Sequence, residues 1–273
     1  MRILSVLIIF FIQSCGSEPA IIDPGNDPNF VVVAADQSGL KRFKKKVLVF
    51  DIPIYGVEKV LSSKMLHAAN IMAQYLDNDE DGVIDNPAVH QQMLENNAFM
   101  LMWDKESDLN RIHIPEDWIG QDLGNDETRP TFHDALQGDF DASLEEVLHI
   151  ITHAGYAYAY PDIFGEQVGT DLAMALDAAR GGQFFDVPNA YPSDAWFTYD
   201  DDTCDYACMN TEYLYWLLTS KLGAQINRLE EIGHEWTLVT PELVELGDTL
   251  GFNLISNPVY KMPLVLPDGK YMQ

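Results

Sequence analysis

Apolar residues recur at helical spacing in several parts of this chain. Residues 57–76 place seven of them on one face: Val57, Val60, Leu61, Ala68, Ile71, Met72 and Tyr75. Asn86-Pro87 predicts the start of another helix, because Asn is a favoured N-cap and Pro a favoured first residue. A third helix is predicted from Ser143 and a fourth over residues 211–222. The pattern predicts a helix-rich protein.

Two short apolar runs predict β-strands. Residues 47–50 form the first, and the segment 52–56, which contains Pro53 and Gly56, is expected to end it. Residues 99–103, Phe-Met-Leu-Met-Trp, predict a second, buried strand. Few strands among many helices predict an α+β fold, a helix-rich single domain with a small sheet.

The chain begins with a segment typical of an export signal. Arg2 precedes an apolar run, residues 3–12, that is too short to span a bilayer. The run ends in Ile12-Gln13-Ser14-Cys15, which resembles the lipobox of bacterial lipoproteins. The resemblance implies removal of residues 1–14, acylation of Cys15 and attachment to the lipid bilayer. An ordinary cleaved signal peptide is the alternative.

This signal predicts a division of the chain and a location. Residues 1–14 would be the lipoprotein signal peptide, 15–40 a lipidated tether rich in Pro, Asp and Asn, and 41–273 a single globular calcium-binding domain. The expected location is extracytoplasmic, anchored to the outer membrane or the cell surface. Since such compartments are oxidising, Cys204 and Cys208 are expected to form a disulfide, with a metal-binding pair or two free thiols as alternatives.

The composition is strongly acidic. The formal net charge is −27, from 43 acidic and 16 basic residues. Such a chain repels nucleic-acid phosphates, so we expect no nucleic-acid partner. The same charge favours divalent cations, although most of these acids serve only solubility. The sequence names no substrate and no protein partner.

Residues 77–85 read Asp-Asn-Asp-Glu-Asp-Gly-Val-Ile-Asp. Carboxylates that could meet on one Ca²⁺ come from Asp77, Asp79, Asp81 and Asp85, together with the backbone carbonyl of Val83. With Gly82 at the sharp turn and helices predicted on both sides, the run resembles the EF-hand loop, which implies a helix-loop-helix and bound calcium. Ala88 stands where that loop has its closing Glu, so another ligand, such as Glu95, is expected. An acidic turn without an ion is the alternative.

The helix predicted from Ser143 carries the second constellation. Leu144, Val147, Leu148 and Ile151 share one face, whereas His149 and His153 lie on the other, spaced to grip one Zn²⁺. This helix resembles the active-site helix of the zincin metallopeptidases, whose motif is His-Glu-x-x-His. Ile150 occupies the position of the catalytic Glu, so Glu145 or Glu146 would have to supply the general base.

A third zinc ligand is required, and the acids considered are Glu166, Asp171 and Glu212. Glu212 is favoured because it is the only acid in an apolar, aromatic helix. Residues 229–234 repeat the Leu-Glu-Glu-x-x-His order of residues 144–149. Paired Glu-x-x-His motifs resemble those of di-iron carboxylate bundles, but residues 229–234 are a poor helix sequence. A solvated helix face remains the alternative for the whole histidine stripe. Isolated histidines are expected to be structural: His67, His90, His113 and His133.

These patterns support two hypotheses of function. The first is an exported calcium-binding lipoprotein that acts as a zinc-dependent hydrolase, a diverged peptidase, with its metal on the helix of residues 145–153. The second is a calcium-stabilised surface protein without catalytic activity that binds a partner or a glycan. Both include Ca²⁺, and only the first requires Zn²⁺.

Overall fold

A computed structural model describes residues 21–23 and 27–273. The predicted signal peptide and the predicted acylation of Cys15 lie outside the described residues. The described chain is a single α+β domain, as predicted, in which helices outnumber the strands of one mixed sheet. Of the helices described, none is long and apolar enough to cross a membrane.

The sheet has its strands in chain order, with antiparallel pairs from β1 to β4 and parallel pairs from β4 to β6. The strands are β1 (Ile21–Asp23), β2 (Val32–Ala34), β3 (Phe43–Val49), β4 (Ile52–Val57), β5 (Phe99–Trp103) and β6 (Gly120–Gly124). Strand β5 confirms the second predicted strand. Strands β1 and β2 lie inside the segment that the sequence analysis treats as a tether, and Val32 is fully buried.

The expectation that residues 52–56 end the first strand is wrong, because they form β4 and pair with β3. Phe50 and Asp51 make the connecting turn with positive φ angles of 46° and 68°, which is the geometry of a tight hairpin. Pro53 is tolerated since pairing with β5 starts only at the next residue, Ile54.

The described chain forms nine α-helices, and they include the four predicted ones with shifted ends. They are α1 (Ser62–Leu76), α2 (Pro87–Glu95), α3 (Ser143–Ile151), α4 (Ala157–Ala159), α5 (Asp171–Ala179), α6 (Tyr206–Lys221), α7 (Leu229–Ile232), α8 (Pro241–Gly247) and α9 (Thr249–Ser256). Helix α1 starts after Val57 rather than at it, because Val57 completes β4. Asn86 caps α2 as predicted, accepting a hydrogen bond from the backbone N–H of Val89.

Helix α3 lies at the centre of the fold, in contact with α1, α6 and β6. Its predicted apolar face is buried at every position: Leu144, Val147, Leu148 and Ile151. A π-helical turn, Thr152–Tyr156, continues it into α4. Because α3 has neighbours on several sides, its polar face is also covered, and this creates the site described next.

Candidate metal centre

Two helices bring the acids and histidines of the site together. Helix α3 presents Glu145, Glu146 and His149, and α6 crosses it with Glu212. The start of α6 is fixed by Asp205, whose side chain accepts a hydrogen bond from Cys208 N at 3.0 Å. The predicted disulfide between Cys204 and Cys208 is confirmed and joins the residue before the N-cap to the first turn of that helix, with the two Cα atoms 5.3 Å apart.

His149 is the most informative side chain of the group. It is only 4% exposed, so a solvated helix face does not describe it. Its Nε2 is buried and has no hydrogen-bond partner among the described residues. The nearest carboxylate oxygen, Oε2 of Glu212, lies 3.6 Å away, which is too long for a hydrogen bond. That distance suits two atoms that bind one ion at about 2.0–2.2 Å each.

The other ring nitrogen of His149 faces a different carboxylate. Its Nδ1 lies 3.4 Å from Oε2 of Glu146, and that oxygen also accepts a hydrogen bond from Gln121 on β6. A carboxylate on the Nδ1 side is the usual arrangement around a histidine that binds a metal through Nε2. Ligand atoms of Glu145, Glu146 and His149 lie within 4.8 Å of one another.

His153, one turn after His149, also has a carboxylate on the Nδ1 side of its ring. Its Nδ1 lies 2.7 and 2.9 Å from the two oxygens of Glu166, and Glu166 also accepts a hydrogen bond from the Thr211 hydroxyl at 2.8 Å. The π-helical turn begins at Thr152, between the two histidines, and such turns are frequent at functional sites. In the part of the chain that the structure describes, His153 belongs to no group of three potential ligands within 4.8 Å.

The three acids proposed as third ligand occupy different places. Glu212 faces His149, whereas Glu166 holds His153 from behind. Asp171 is the first residue of α5, and no ion pair joins it to either histidine among the described residues. Glu212 is therefore the acid that the fold brings to the unpartnered nitrogen of His149.

The carboxylates and the imidazole of the group shift one another's pKa values. Burial raises the pKa of Glu145, and the neighbouring carboxylates of Glu146 and Glu212 raise it further. Burial also raises the pKa of Glu212. For His149 burial alone would lower the pKa, but the surrounding carboxylates outweigh that effect and raise it. Three carboxylates around one imidazole would be relieved by a bound divalent ion.

Aromatic residues enclose the centre on one side. The ring of Tyr215 meets His149 edge-on, with centroids 5.5 Å apart, and the phenol of Tyr199 lies close enough to Glu212 to lower its pKa. Tyr199 also lines a small cavity of about 170 Å³ with His234 and Glu235. The side chain of His153 is 45% exposed, so the centre opens towards solvent beside it.

The acidic loop after α1 brings three carboxylates close together. Ligand atoms of Asp77, Asp79 and Asp85 lie within 4.8 Å of one another, and Asp77 is fully buried. Oδ2 of Asp77 accepts hydrogen bonds from Gly82 N and from the hydroxyl of Tyr271. Gly82 has the positive φ, 86°, that its position in the loop requires.

Two acids expected to bind the calcium ion, Asp81 and Glu95, make other hydrogen bonds. Oδ1 of Asp81 accepts a hydrogen bond from the backbone of Val83. Glu95, considered as an outside ligand, accepts hydrogen bonds from Gln91 and Gln92 of its own helix. Calcium binding by this loop stays a prediction.

Sequence reasoning missed residues that reach the sites from distant parts of the chain. Gln121 and Tyr199 contact the carboxylates of the centre from β6 and from the loop before α6. His67 and His133, expected to be isolated, both bond to Asp141. No local motif marks these residues, because only the fold makes them neighbours. Protein-family models, curated proteins and solved structures were compared with the chain, and none of them matches.

Proposed function

We propose that this protein is an exported metal-dependent hydrolase whose ion is bound between α3 and α6. The observation that carries the proposal is the buried, unpartnered Nε2 of His149, which lies 3.6 Å from Oε2 of Glu212. The same imidazole also forms a close group with the carboxylates of Glu145 and Glu146. A buried group of this charge favours a divalent cation, and an imidazole among carboxylates suits Zn²⁺.

The ligands proposed are His149 and Glu212, with His153 as the third after a small movement of its ring towards them. Such a movement keeps its bond to Glu166, because Glu166 contacts Nδ1 and leaves Nε2 for the ion. A zinc ion with an open position lowers the pKa of a bound water to about 7. Three protein ligands would leave that position open.

The two acids of α3 then take different roles in the proposal. Glu146 bonds Gln121 and faces Nδ1 of His149, so it positions that ligand. Glu145 makes no such contact with the imidazole, and it is the acid that we assign as general base for the water. Substrate would enter beside the exposed face of His153.

Metal analysis of the purified full-length protein tests the proposal. After equilibrium dialysis against saturating Zn²⁺ and excess Ca²⁺, the wild-type protein should retain one zinc more than His149→Ala and Glu212→Gln. His113→Ala, a histidine replacement away from α3, should retain it. Hydrolysis of fluorescently labelled casein should follow the zinc content and stop with 1,10-phenanthroline.

The outcomes separate the two hypotheses. Zinc content unaffected by either substitution would refute the metal centre. A zinc content that depends on His149 without hydrolysis of any substrate tested would favour the surface protein without catalytic activity. In that case the ion would only stabilise the contact between α3 and α6.

We further propose that the acidic loop binds Ca²⁺ and holds the C-terminal tail in place. Asn78 contacts the backbone of Leu264 and Val265, and Glu80 accepts a hydrogen bond from Met272 N. A loop that links the end of α1 to the last residues of the chain suits a permanent structural ion rather than a sensor.

The location is proposed from the lipobox-like sequence at Cys15. Metabolic labelling with a palmitate analogue should tag the wild-type protein and not Cys15→Ser. An unlabelled wild-type protein whose mature N-terminus lies elsewhere would support the ordinary cleaved signal peptide instead.

A further inference from the structure

We propose a second site for a divalent transition-metal ion, formed by His67, His133 and Asp141 and independent of the centre between α3 and α6. His67 lies on α1 and His133 on the 3₁₀ turn Pro130–Asp134. Asp141 lies two residues before the start of α3. Two imidazoles and one carboxylate are a ligand set for zinc and for other first-row ions.

The three side chains converge on one point. Nε2 of His67 lies 2.7 Å from Oδ2 of Asp141, and Nε2 of His133 lies 2.8 Å from the same oxygen. The two imidazole centroids are 5.3 Å apart. The partners are 74 and 8 residues from Asp141 in sequence, so the convergence is a product of the fold rather than of a local turn.

The carboxylate is held by hydrogen bonds on its other oxygen. Oδ1 of Asp141 accepts from Arg129 N at 2.8 Å and from the Ser143 hydroxyl at 2.9 Å. These donors leave Oδ2 directed at the two imidazoles. Ligand carboxylates in metal sites are oriented in this way by their surroundings.

The charge of the group also favours a cation. Asp141 is fully buried, and in residues 27–273 its only ion-pair partners are the two histidines. Both imidazoles are also buried: the side chain of His67 is 7% exposed and that of His133 is 3% exposed. A buried carboxylate beside two imidazoles and without Lys or Arg gains from a divalent ion.

The ligand atoms need only a small displacement to admit the ion. Tetrahedral bonds of about 2.0–2.1 Å place ligand atoms about 3.3 Å apart, so the present separations must widen by about 0.5 Å. An ion can reach the site, since His67 lines an open cavity of about 520 Å³ with Gly269 and Lys270.

Gly269 controls the position of His67. A Cβ atom at residue 269 would lie 2.2 Å from Nδ1 of His67, so any side chain there must displace the imidazole. Gly223 offers a matched control: its φ of 88° resembles the 77° of Gly269, but a Cβ at residue 223 would meet no atom within 4 Å. Both Ala substitutions therefore carry a similar backbone strain, and only one disturbs the site.

Zinc binding by full-length His149→Ala protein tests the proposal, because that background removes the centre between α3 and α6. With Ca²⁺ in excess, equilibrium dialysis should still find one Zn²⁺ per chain, and adding His133→Ala should abolish it. Adding Gly269→Ala should weaken zinc binding by about 10- to 100-fold, as expected when the position of a ligand side chain is disturbed, whereas Gly223→Ala should leave it unchanged.

Three results would overturn the proposal. One is no zinc bound by the His149→Ala protein, and another is zinc that survives His133→Ala. The third is equal affinity in the Gly269→Ala and Gly223→Ala proteins. If His133→Ala fails to fold by circular dichroism, the two glycine variants decide the question, because neither removes a buried polar group.

Discussion

The contact between the acidic loop and the C-terminal tail predicts a specific effect of Tyr271→Phe. The hydroxyl of Tyr271 donates to Oδ2 of Asp77, and the residue is 4% exposed. A hydrogen bond to a charged group contributes about 1.5–3 kcal/mol to the free energy of unfolding. In a domain of about 250 residues, 1 kcal/mol shifts Tm by about 2–4 °C, so we expect Tm to fall by about 3–12 °C.

The same substitution should weaken calcium binding. Gly82 N and the Tyr271 hydroxyl together hold Oδ2 of Asp77, whereas Oδ1 accepts one longer hydrogen bond, 3.2 Å from Asp81 N, and keeps a lone pair for the ion. Loss of one of these outer contacts should lower the affinity for Ca²⁺ by about 10- to 100-fold. Isothermal titration calorimetry with Ca²⁺ measures the affinity, and scanning calorimetry measures Tm.

Tyr158→Phe is the matched control, since Tyr158 is 49% exposed. Its free energy of unfolding should change by no more than about 0.5 kcal/mol, with unchanged calcium affinity. The reasoning is refuted if Tyr271→Phe lowers Tm as expected but binds Ca²⁺ as tightly as the wild-type protein. Asp77 would then be a buried structural acid rather than a ligand.

Three further predictions concern the other sites. Burial would raise the pKa of Asp141, but hydrogen bonds from His133 and His67 outweigh it and hold that pKa well below its usual range. The ionised carboxylate therefore stabilises the fold above about pH 4, and the metal-free protein should lose that stability as the pH falls further. Urea unfolding at a series of pH values measures the loss, which Asp141→Asn should not show. Gln121→Leu removes the donor to Glu146 and should lower zinc affinity by about 10- to 100-fold in the dialysis assay, whereas an unchanged affinity would exclude Glu146 as a positioning residue. Replacing both Cys204 and Cys208 by Ser should reduce the free energy of unfolding by about 2 kcal/mol in urea titrations, and no change would show that the disulfide does not restrain the start of α6.

Helices α1, α2, α3 and α6 and strand β5 could be predicted from the sequence because their signals are local. The apolar face of α3, from Leu144 to Ile151, repeats at helical spacing and is buried as expected. Asn86 caps α2 through a bond to a residue three positions away. Cys204 and Cys208 are only four residues apart, so their pairing could be predicted without knowledge of the fold.

Strand pairing and the N-terminal part of the domain depended on the tertiary structure. Pro53 and Gly56 suggested the end of a strand, yet the hairpin turn at Phe50 and Asp51 returns the chain into β4. The polar, Pro-rich composition before residue 40 suggested a tether, yet Val32 is buried in the sheet. A strand gains its stability from its neighbours, and a single sequence does not show which neighbours it will have.

The candidate sites, like the fold, could be predicted from the sequence only in part. The sequence by itself placed His149 and His153 one turn apart and selected Glu212 by its unusual apolar surroundings. Only the tertiary structure decided that His149 is buried with an unpartnered nitrogen facing Glu212, and that His67, His133 and Asp141 meet. The physical reason is that helical spacing fixes neighbours within about one turn, whereas ligand geometry is fixed by packing between elements that are distant along the chain.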